Sequence, residues 1–257
     1  MFHYIIGHRD HSPKQDRTKN LQYILDWLKK CPLLSTVVIV EIARTKSTWL
    51  QEEERKTKRF HHVFIQNDSP YNRSLAFNQG AKHLLRHRCV SSNEDYFIFG
   101  DNDVYLDNLT AVLEEVRQGA GEIKAFSPYV KIYDLLPPAS NESERKQLRQ
   151  GTAFAGGIVG IQVEAFRLLG GWMEEFKGWG GEDGAMSHLL SRYIGPQHCR
   201  SFPEEAYHLW HPRDEQCAKT HHRLRRFNML QLQHLKMSDA ETLESRLQYR
   251  RLQFYIT

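Results

Sequence analysis

Asp95-Tyr96-Phe97-Ile98-Phe99-Gly100-Asp101-Asn102-Asp103 is an apolar run that stops abruptly in two acids. Aromatic and β-branched residues bounded by polar ones make a buried strand, so the acids fall at its carboxyl end. In extended chain, residues two apart point to the same side, which pairs Asp101 with Asp103 and turns Asn102 away. Two carboxylates just past a strand can hold a hard divalent cation, and such a cation can bind a diphosphate. An isolated Asp-x-Asp is also a common acidic turn, so the surrounding chain has to decide between the two.

Upstream, strands alternate with helices. Residues 2–7 form a short apolar first strand that ends in His8-Arg9-Asp10. Leu21, Ile24, Leu25 and Leu28 recur at helical spacing until Cys31-Pro32 stops the helix. Thr36-Val-Val-Ile-Val-Glu41-Ile42 is a β-branched strand ending in an acid. Residues 44–59 are highly charged and suit a solvated helix or loop. Residues 63–65 make a third strand, and Ser74 is positioned to cap a helix over 75–87. After Asp103, Leu106, Leu109, Val112, Leu113 and Val116 mark an amphipathic helix closed by Gly119 and Gly121. This order predicts an α/β fold with a mostly parallel central sheet and helices on both faces. Ligands of such sheets bind at the carboxyl ends of the strands, where Arg9, Glu41, Asp101 and Asp103 all sit.

Downstream, a strand is expected over 125–133, then a proline-led polar stretch from Pro137 that suits a substrate-gating loop. Phe154-Ala-Gly156-Gly157 opens a further apolar strand over 158–161, and Trp179-Gly180-Gly181-Glu182-Asp183 runs into a helix. Glycines let backbone approach a ligand or take positive φ, and a tryptophan offers a flat wall to a ring-shaped substrate. This stretch therefore suits an acceptor and a catalytic base. A short strand over 207–211 carries His208 and His211. Imidazole suits Mn2+ better than Mg2+, so one of these two joining the aspartates around a metal is the sharper reading, and both stay open. Arg9, Arg73 and Lys131 form a basic set fitted to phosphate. Glu41 can accept the N3–H of a uracil or be a simple surface acid. Ser238-Asp-Ala-Glu241 is a capping-box pattern for a last helix.

With 35 Lys+Arg against 31 Asp+Glu, the net charge of +4 fits a phosphorylated substrate but does not imply nucleic acid. Arg223-Leu-Arg-Arg226 lacks the interleaved aromatics of a stacking platform. It reads as a solvated helix face, with weak peripheral attachment to an anionic membrane as the alternative. The four cysteines have no metal or redox spacing, although Cys199 and Cys217 could pair. The start of the chain is too short in apolar residues for a signal peptide or membrane span, which predicts a soluble, cytoplasmic protein.

Taken together these motifs resemble the GT-A glycosyltransferases, and most closely the β-1,4-galactosyltransferase family. Phe154-Ala-Gly-Gly157 and Trp179-Gly-Gly-Glu-Asp183 are similar to its aromatic-x-Gly-Gly and Trp-Gly-Gly-Glu-Asp signatures. Asp101-Asn-Asp103 stands for its Asp-x-Asp, Tyr71-Asn72-Arg73 for its Phe-Asn-Arg, and His211-Pro-Arg213-Asp214 for its His-Ser-Arg-Asp. The resemblance implies one GT-A (nucleotide-diphospho-sugar transferase) domain over 1–257. Within it, 1–125 would bind the nucleotide-sugar, 126–215 the acceptor, and 216–257 would be a helical extension. It implies a UDP-sugar donor of galactose or N-acetylgalactosamine type, a glycan or lipid-linked saccharide acceptor, and Mn2+ or Mg2+ as cofactor. Asp103 and His211 would bind the metal, with His208 at the place of a further ligand. Arg9, Glu41, Arg73, Asp101, Lys131, Gly156 and Gly157 would serve the nucleotide-sugar. Trp179, Gly180, Gly181 and Glu182 would position the acceptor, and Asp183, partly solvated and ionised, would be the base of an inverting transfer. Gly184 departs from the family, which commonly has another acid there, and the anchor, stalk and disulfides of the animal enzymes are not expected here. A stand-alone form suggests bacterial surface-glycan assembly. Retaining N-acetylgalactosaminyltransferases and chondroitin-polymerase modules share the Trp-Gly-Gly-Glu stretch. A non-catalytic nucleotide-sugar or glycan-binding module is the rival of another class.

Overall fold

In the computed structural model, the β-branched and aromatic runs become the inner strands of a seven-stranded sheet. Residues 1–10, 16–119, 121–136, 146–149, 153–178, 180–212 and 218–256 are described. The first half runs β1 (Phe2–His8), α1 (Asp16–Lys29), β2 (Leu34–Ala43), α2 (Thr48–Lys56), β3 (Phe60–Gln66), α3 (Arg73–Arg86), β4 (Tyr96–Gly100), β5 (Val104–Leu106) and α4 (Leu109–Gln118). Next come β6 (Ala125–Ser127), β7 (Lys131–Leu135), β8 (Lys146–Leu148), β9 (Ile158–Gln162), α5 (Val163–Leu168), α6 (Glu182–Leu189), β10 (Cys199–Ser201), β11 (Glu205–His208), α7 (Ala218–Met237) and α8 (Ala240–Ile256).

The large sheet has the order β10-β6-β9-β4-β1-β2-β3. Its strands are parallel except for β9, which runs antiparallel to both β4 and β6. Alternation along the strands divides the core into two layers. Ile5, Val38, Val40, Phe97 and Phe99 face Phe77, Phe166, Trp172 and the C-terminal residues Leu235, Leu243, Leu247 and Phe254. Tyr4, Ile6, Val37, Ile39 and Ile98 face Leu21, Ile24, Leu28 and Leu113. Both faces are thus apolar, as expected of a parallel sheet covered on two sides.

Four sequence expectations are corrected. The run over 125–133 is two strands in different sheets, because Ser127-Pro128 interrupts it and proline cannot donate to a ladder. Leu106 ends β5 rather than opening α4. The cap of α3 is Asn72, whose Oδ1 accepts from Leu75 N at 2.9 Å, and Ser74 lies inside the helix. The cap of α8 is Asp239, accepting from Thr242 N at 2.7 Å, while Ser238 Oγ donates back to His234 O. Trp179, residues 137–145, Arg213, Asp214 and Cys217 lie outside the described residues, and with them the expected acceptor wall, gating loop and Cys199–Cys217 pair.

The second sheet, β5-β11-β7-β8, is small and sits past the carboxyl end of β4. Its register places His208 opposite Val104 on one side and Asp134 on the other. Leu209 N donates to Asp103 O at 2.7 Å, so the chain after β4 is stitched to the chain after β11. Side chains from residues a hundred apart are brought together by that ladder.

Candidate active site

Asn102 turns away from its two acidic neighbours and donates to Nδ1 of buried His8 at 2.9 Å. Burial pushes the His8 pKa down to about 4, so this imidazole is neutral and accepts. The bond fixes the turn, and its two acids serve two different clusters.

Asp103 faces the first cluster. Its carboxylate lies 3.5 Å from His208 Nε2 and 3.4 Å from His211 Nε2, and the three groups can share one metal ion. His208 holds its Nδ1 3.1 Å from Asp134, and His211 Nδ1 is 3.1 Å from the Pro212 carbonyl. With each Nδ1–H so engaged, both Nε2 atoms are left as acceptors toward Asp103, the tautomer a metal ligand needs. Burial first, and Arg17 second, lower the His211 pKa, which keeps it neutral. Asp134 is held in turn by Arg149. One carboxylate and two imidazoles, each with its second nitrogen anchored, fit Mn2+. The sequence choice between His208 and His211 therefore ends with both placed at the cluster. Arg17, Asp134 and Arg149 have no signal in the sequence. Arg17 approaches Asp103 at 3.4 Å and adds positive charge there.

Asp101 faces the second cluster, whose centre is Arg73. Capping by Asn72 sets Arg73 at the first position of α3, buried against the faces of Phe77 and Trp172 at 4.7 and 5.5 Å. Its guanidinium pairs with Asp101 at 2.7 Å, with Asp183, and more loosely with Glu182 at 3.8 Å. Nη2 also donates to the Gly157 carbonyl at 3.4 Å. Three carboxylates around one cation leave excess negative charge in a place where Arg73 and Glu182 are buried and Asp101 and Asp183 half-buried. Burial pushes the Asp183 pKa up, Arg73 pulls it down, and Glu182 and Asp101 push it up again, to about 7. Glu182 and Asp101 are also raised, chiefly by burial. Asp183 is partly solvated, as expected at the helix start, but desolvation and the neighbouring acids raise its pKa, so at neutral pH it is only partly ionised rather than fully so.

Glycines make the close packing feasible. Gly157 has φ +75°, and a Cβ there would come within 2.1 Å of Tyr129 Oη. That hydroxyl donates to Gly156 O at 2.5 Å and accepts from Ile158 N at 3.2 Å, which locks the Gly-Gly turn. Asp101 N donates to Gly157 O at 3.0 Å, so the turn and the acidic end of β4 touch. Gly180 and Gly181 also have positive φ, and Gly181 precedes α6. Ser187 Oγ joins the two loops, donating to Asp183 O at 2.7 Å and accepting from Ala155 N at 3.0 Å.

The remaining candidates lie outside these clusters. Arg9 is buried with its three nitrogens donating to the carbonyls of Ile42, Asn67 and Ser69, each at 2.5 Å. Glu41 is buried and takes bonds from Ser47 N at 3.1 Å and from His62 Nε2 at 2.9 Å. Both brace the carboxyl end of β2. Lys131 is on the second sheet, 3.7 Å from Glu205. It lines a cavity of about 370 Å³ with Tyr129, Arg149 and Phe154, adjoining the Gly156-Gly157 turn.

Comparison with known proteins is consistent with this layout. The family model for the N-terminal domain of galactosyltransferase matches residues 139–200. The chain is 29% identical to β-1,4-galactosyltransferase 5 of Danio rerio over 125 residues, 48% of this chain and 27% of that protein. It is also 29% identical to human β-1,4-galactosyltransferase 6 over 133 residues, 51% of this chain and 29% of that protein. The matches thus span under a third of these relatives. Among solved structures, GalNAc-T7 with UDP, GalNAc and Mn2+ superposes with a TM-score of 0.56 at 14% identity, over 87% of this chain and 47% of that one. TarS 1–349 of S. aureus in complex with UDP-GlcNAc superposes at 0.55 and 13% identity, over 98% and 71%. In sheet order and in the segment that carries Gly156-Gly157 and Glu182-Asp183, the chain has the GT-A glycosyltransferase fold and resembles the β-1,4-galactosyltransferase family.

Proposed function

We propose that the protein is a metal-dependent, inverting glycosyltransferase that moves a sugar of galactose or N-acetylgalactosamine type from UDP to a hydroxyl of a glycan or lipid-linked saccharide. The observation that carries the reading is the division of labour at the end of β4. Asp103 joins a cluster able to hold a metal ion, and Asp101, two residues earlier, joins the cluster of Asp183. The two relatives named above are galactosyltransferases, and two structural neighbours were solved with UDP or a UDP-sugar.

Asp103, His208 and His211 would hold the divalent cation, which supplies neutralising charge to the departing diphosphate when bound. Arg73 holds Asp183 by Oδ1, which would leave Oδ2 for the acceptor hydroxyl. Asp183 takes the proton of that hydroxyl as its oxygen bonds the anomeric carbon. The bond from that carbon to the diphosphate oxygen breaks on the opposite face, and its electron pair leaves with UDP. Glu182 clamps the acceptor, and the Gly156-Gly157 turn lets the donor sugar approach the backbone. Arg9 and Glu41 support the nucleotide end from behind, and Lys131 is a phosphate contact from the second sheet.

A panel of UDP-sugars with Mn2+, Mg2+ and chelator tests the reading through slow hydrolysis, with NMR of the transfer product reporting its anomeric configuration. Asp183→Asn is expected to lower turnover by about 100- to 10,000-fold while UDP affinity with Mn2+ stays unchanged. Retention of configuration, or an Asp183→Asn protein as active as the parent, would refute the assignment. Wild-type protein that binds UDP with Mn2+ yet turns over no UDP-sugar would point to a binding module.

A further inference from the structure

The helix α7 has two faces of opposite character. Leu224, Asn228, Leu232 and Leu235 recur at helical spacing and pack inward. They lie against the acceptor turn: a Cβ on Gly178, Gly181 or Gly184 would come within 3.0, 3.2 or 2.8 Å of Leu224, Asn228 or Leu232. Asn228 Nδ2 also donates to Lys177 O at 3.0 Å. On the opposite side, Arg223, Arg226, Phe227, Leu230, His234 and Met237 form one continuous stripe at i, i+3, i+4, i+7 spacing, and all of them are exposed. Phe227, Leu230 and Met237 are 56, 51 and 77% exposed, unusual for large apolar side chains in succession. The twenty residues of α7 include five Lys or Arg and no Asp or Glu.

An apolar stripe alone would fit many occupants. The acid-free, cationic composition selects among them: a second copy of α7 would oppose like charge, whereas an anionic lipid surface complements charge and takes apolar side chains at the headgroup boundary. We infer that α7 lies flat on an anionic phospholipid membrane through Arg223, Arg226, Phe227 and Leu230. No helix among the described residues is long and apolar enough to cross a membrane, which fits a helix that lies on one. A helix is about 10 Å across, so the turn bearing Glu182 and Asp183 then sits one helix diameter from the lipid headgroups. On the reading of Asp183 as the base, this selects acceptors whose sugar is carried on a lipid with little spacer.

Co-sedimentation with phosphatidylcholine vesicles, with and without phosphatidylglycerol, tests the inference without requiring turnover. The expected result is binding only to the anionic vesicles, weakened by salt, about tenfold lower in Arg223→Gln/Arg226→Gln and lower again in Phe227→Ser/Leu230→Ser. Circular dichroism and UDP-sugar hydrolysis in solution should match the parent in both variants, since these side chains face away from the core and the site. Equal binding of parent and variants, or equal binding to neutral vesicles, would overturn it. So would a lipid-independent dimer dissolved by Phe227→Ser/Leu230→Ser, or binding to oligonucleotides in preference to vesicles. Failed hydrolysis with intact vesicle binding would strike the enzymatic reading alone.

Discussion

At the scale of single residues, Arg73 matters most because it is the shared counter-ion of Asp101, Glu182 and Asp183. Removing it leaves one buried and two half-buried carboxylates unpaired, and loss of one partner of a buried pair costs about 3–5 kcal/mol. The pH dependence has a definite sign. Asp183 has a pKa near 7 in the folded chain, above its ordinary carboxylate value, so the native state binds more protons than the unfolded one in between. Its contribution is therefore most favourable at low pH and declines as pH rises toward 7. In Arg73→Ala the same carboxylates lose their cation and retain protons still more readily. Urea melts should thus find Arg73→Ala destabilised by roughly 3–5 kcal/mol at pH 8 and by clearly less at pH 5. A pH-independent loss would mean that Arg73 acts through packing on Phe77 and Trp172 instead. On the proposed role of Asp183 as the base, it has to be ionised, so kcat/KM should rise through about 7 and level off above it.

At the scale of elements, the second sheet assembles the candidate metal cluster by strand register. Asp134 on β7 lies beside His208 on β11 and contacts its Nδ1 at 3.1 Å. Asp134→Asn should keep the fold and lower Mn2+ affinity by about 10- to 100-fold, measured by calorimetry in the presence of UDP. Unchanged affinity would leave His208 a neighbour of the cluster rather than a ligand. Much of the fold was legible in sequence because β-branched runs and helical periodicities act locally. The strand-terminal acids, the Gly-Gly turn and Glu182-Asp183 could be read for the same reason. What escaped depends on contacts across strands: Asp134, Arg149 and Arg17 are ordinary charged residues until register sets them beside a histidine or an aspartate. The helix caps were missed by one or two positions, at Asn72 and Asp239, because neighbouring polar residues are equally able to cap and only packing chooses the start.

At the scale of the whole molecule, the chain closes its own core from the far end. Leu235, Leu243, Leu247 and Phe254 pack against Phe77, Phe166 and Trp172, beneath the cluster of Arg73. Each such side chain contributes about 1.5–3 kcal/mol by burial, so four of them together rival the whole net stability of a domain. A chain ending at residue 217 should therefore be insoluble or molten, with loss of near-ultraviolet circular dichroism, and a sharply melting truncation would contradict this packing. The reversed strand β9 has a different kind of consequence. Because it runs against β4, with Gly100 opposite Ile158, the start of one strand is pinned to the end of the other whatever lies between. More than fifty residues separate Asp103 from Gly157. Within this interval Tyr129, Asp134 and Arg149 are tied to the site, so only the connections between them can lengthen or shorten without shifting it, as a buckle holds its place while the strap is changed. On the proposed function, new acceptor preferences would arise by splicing within those connections, with the clusters at the two strand ends kept in place.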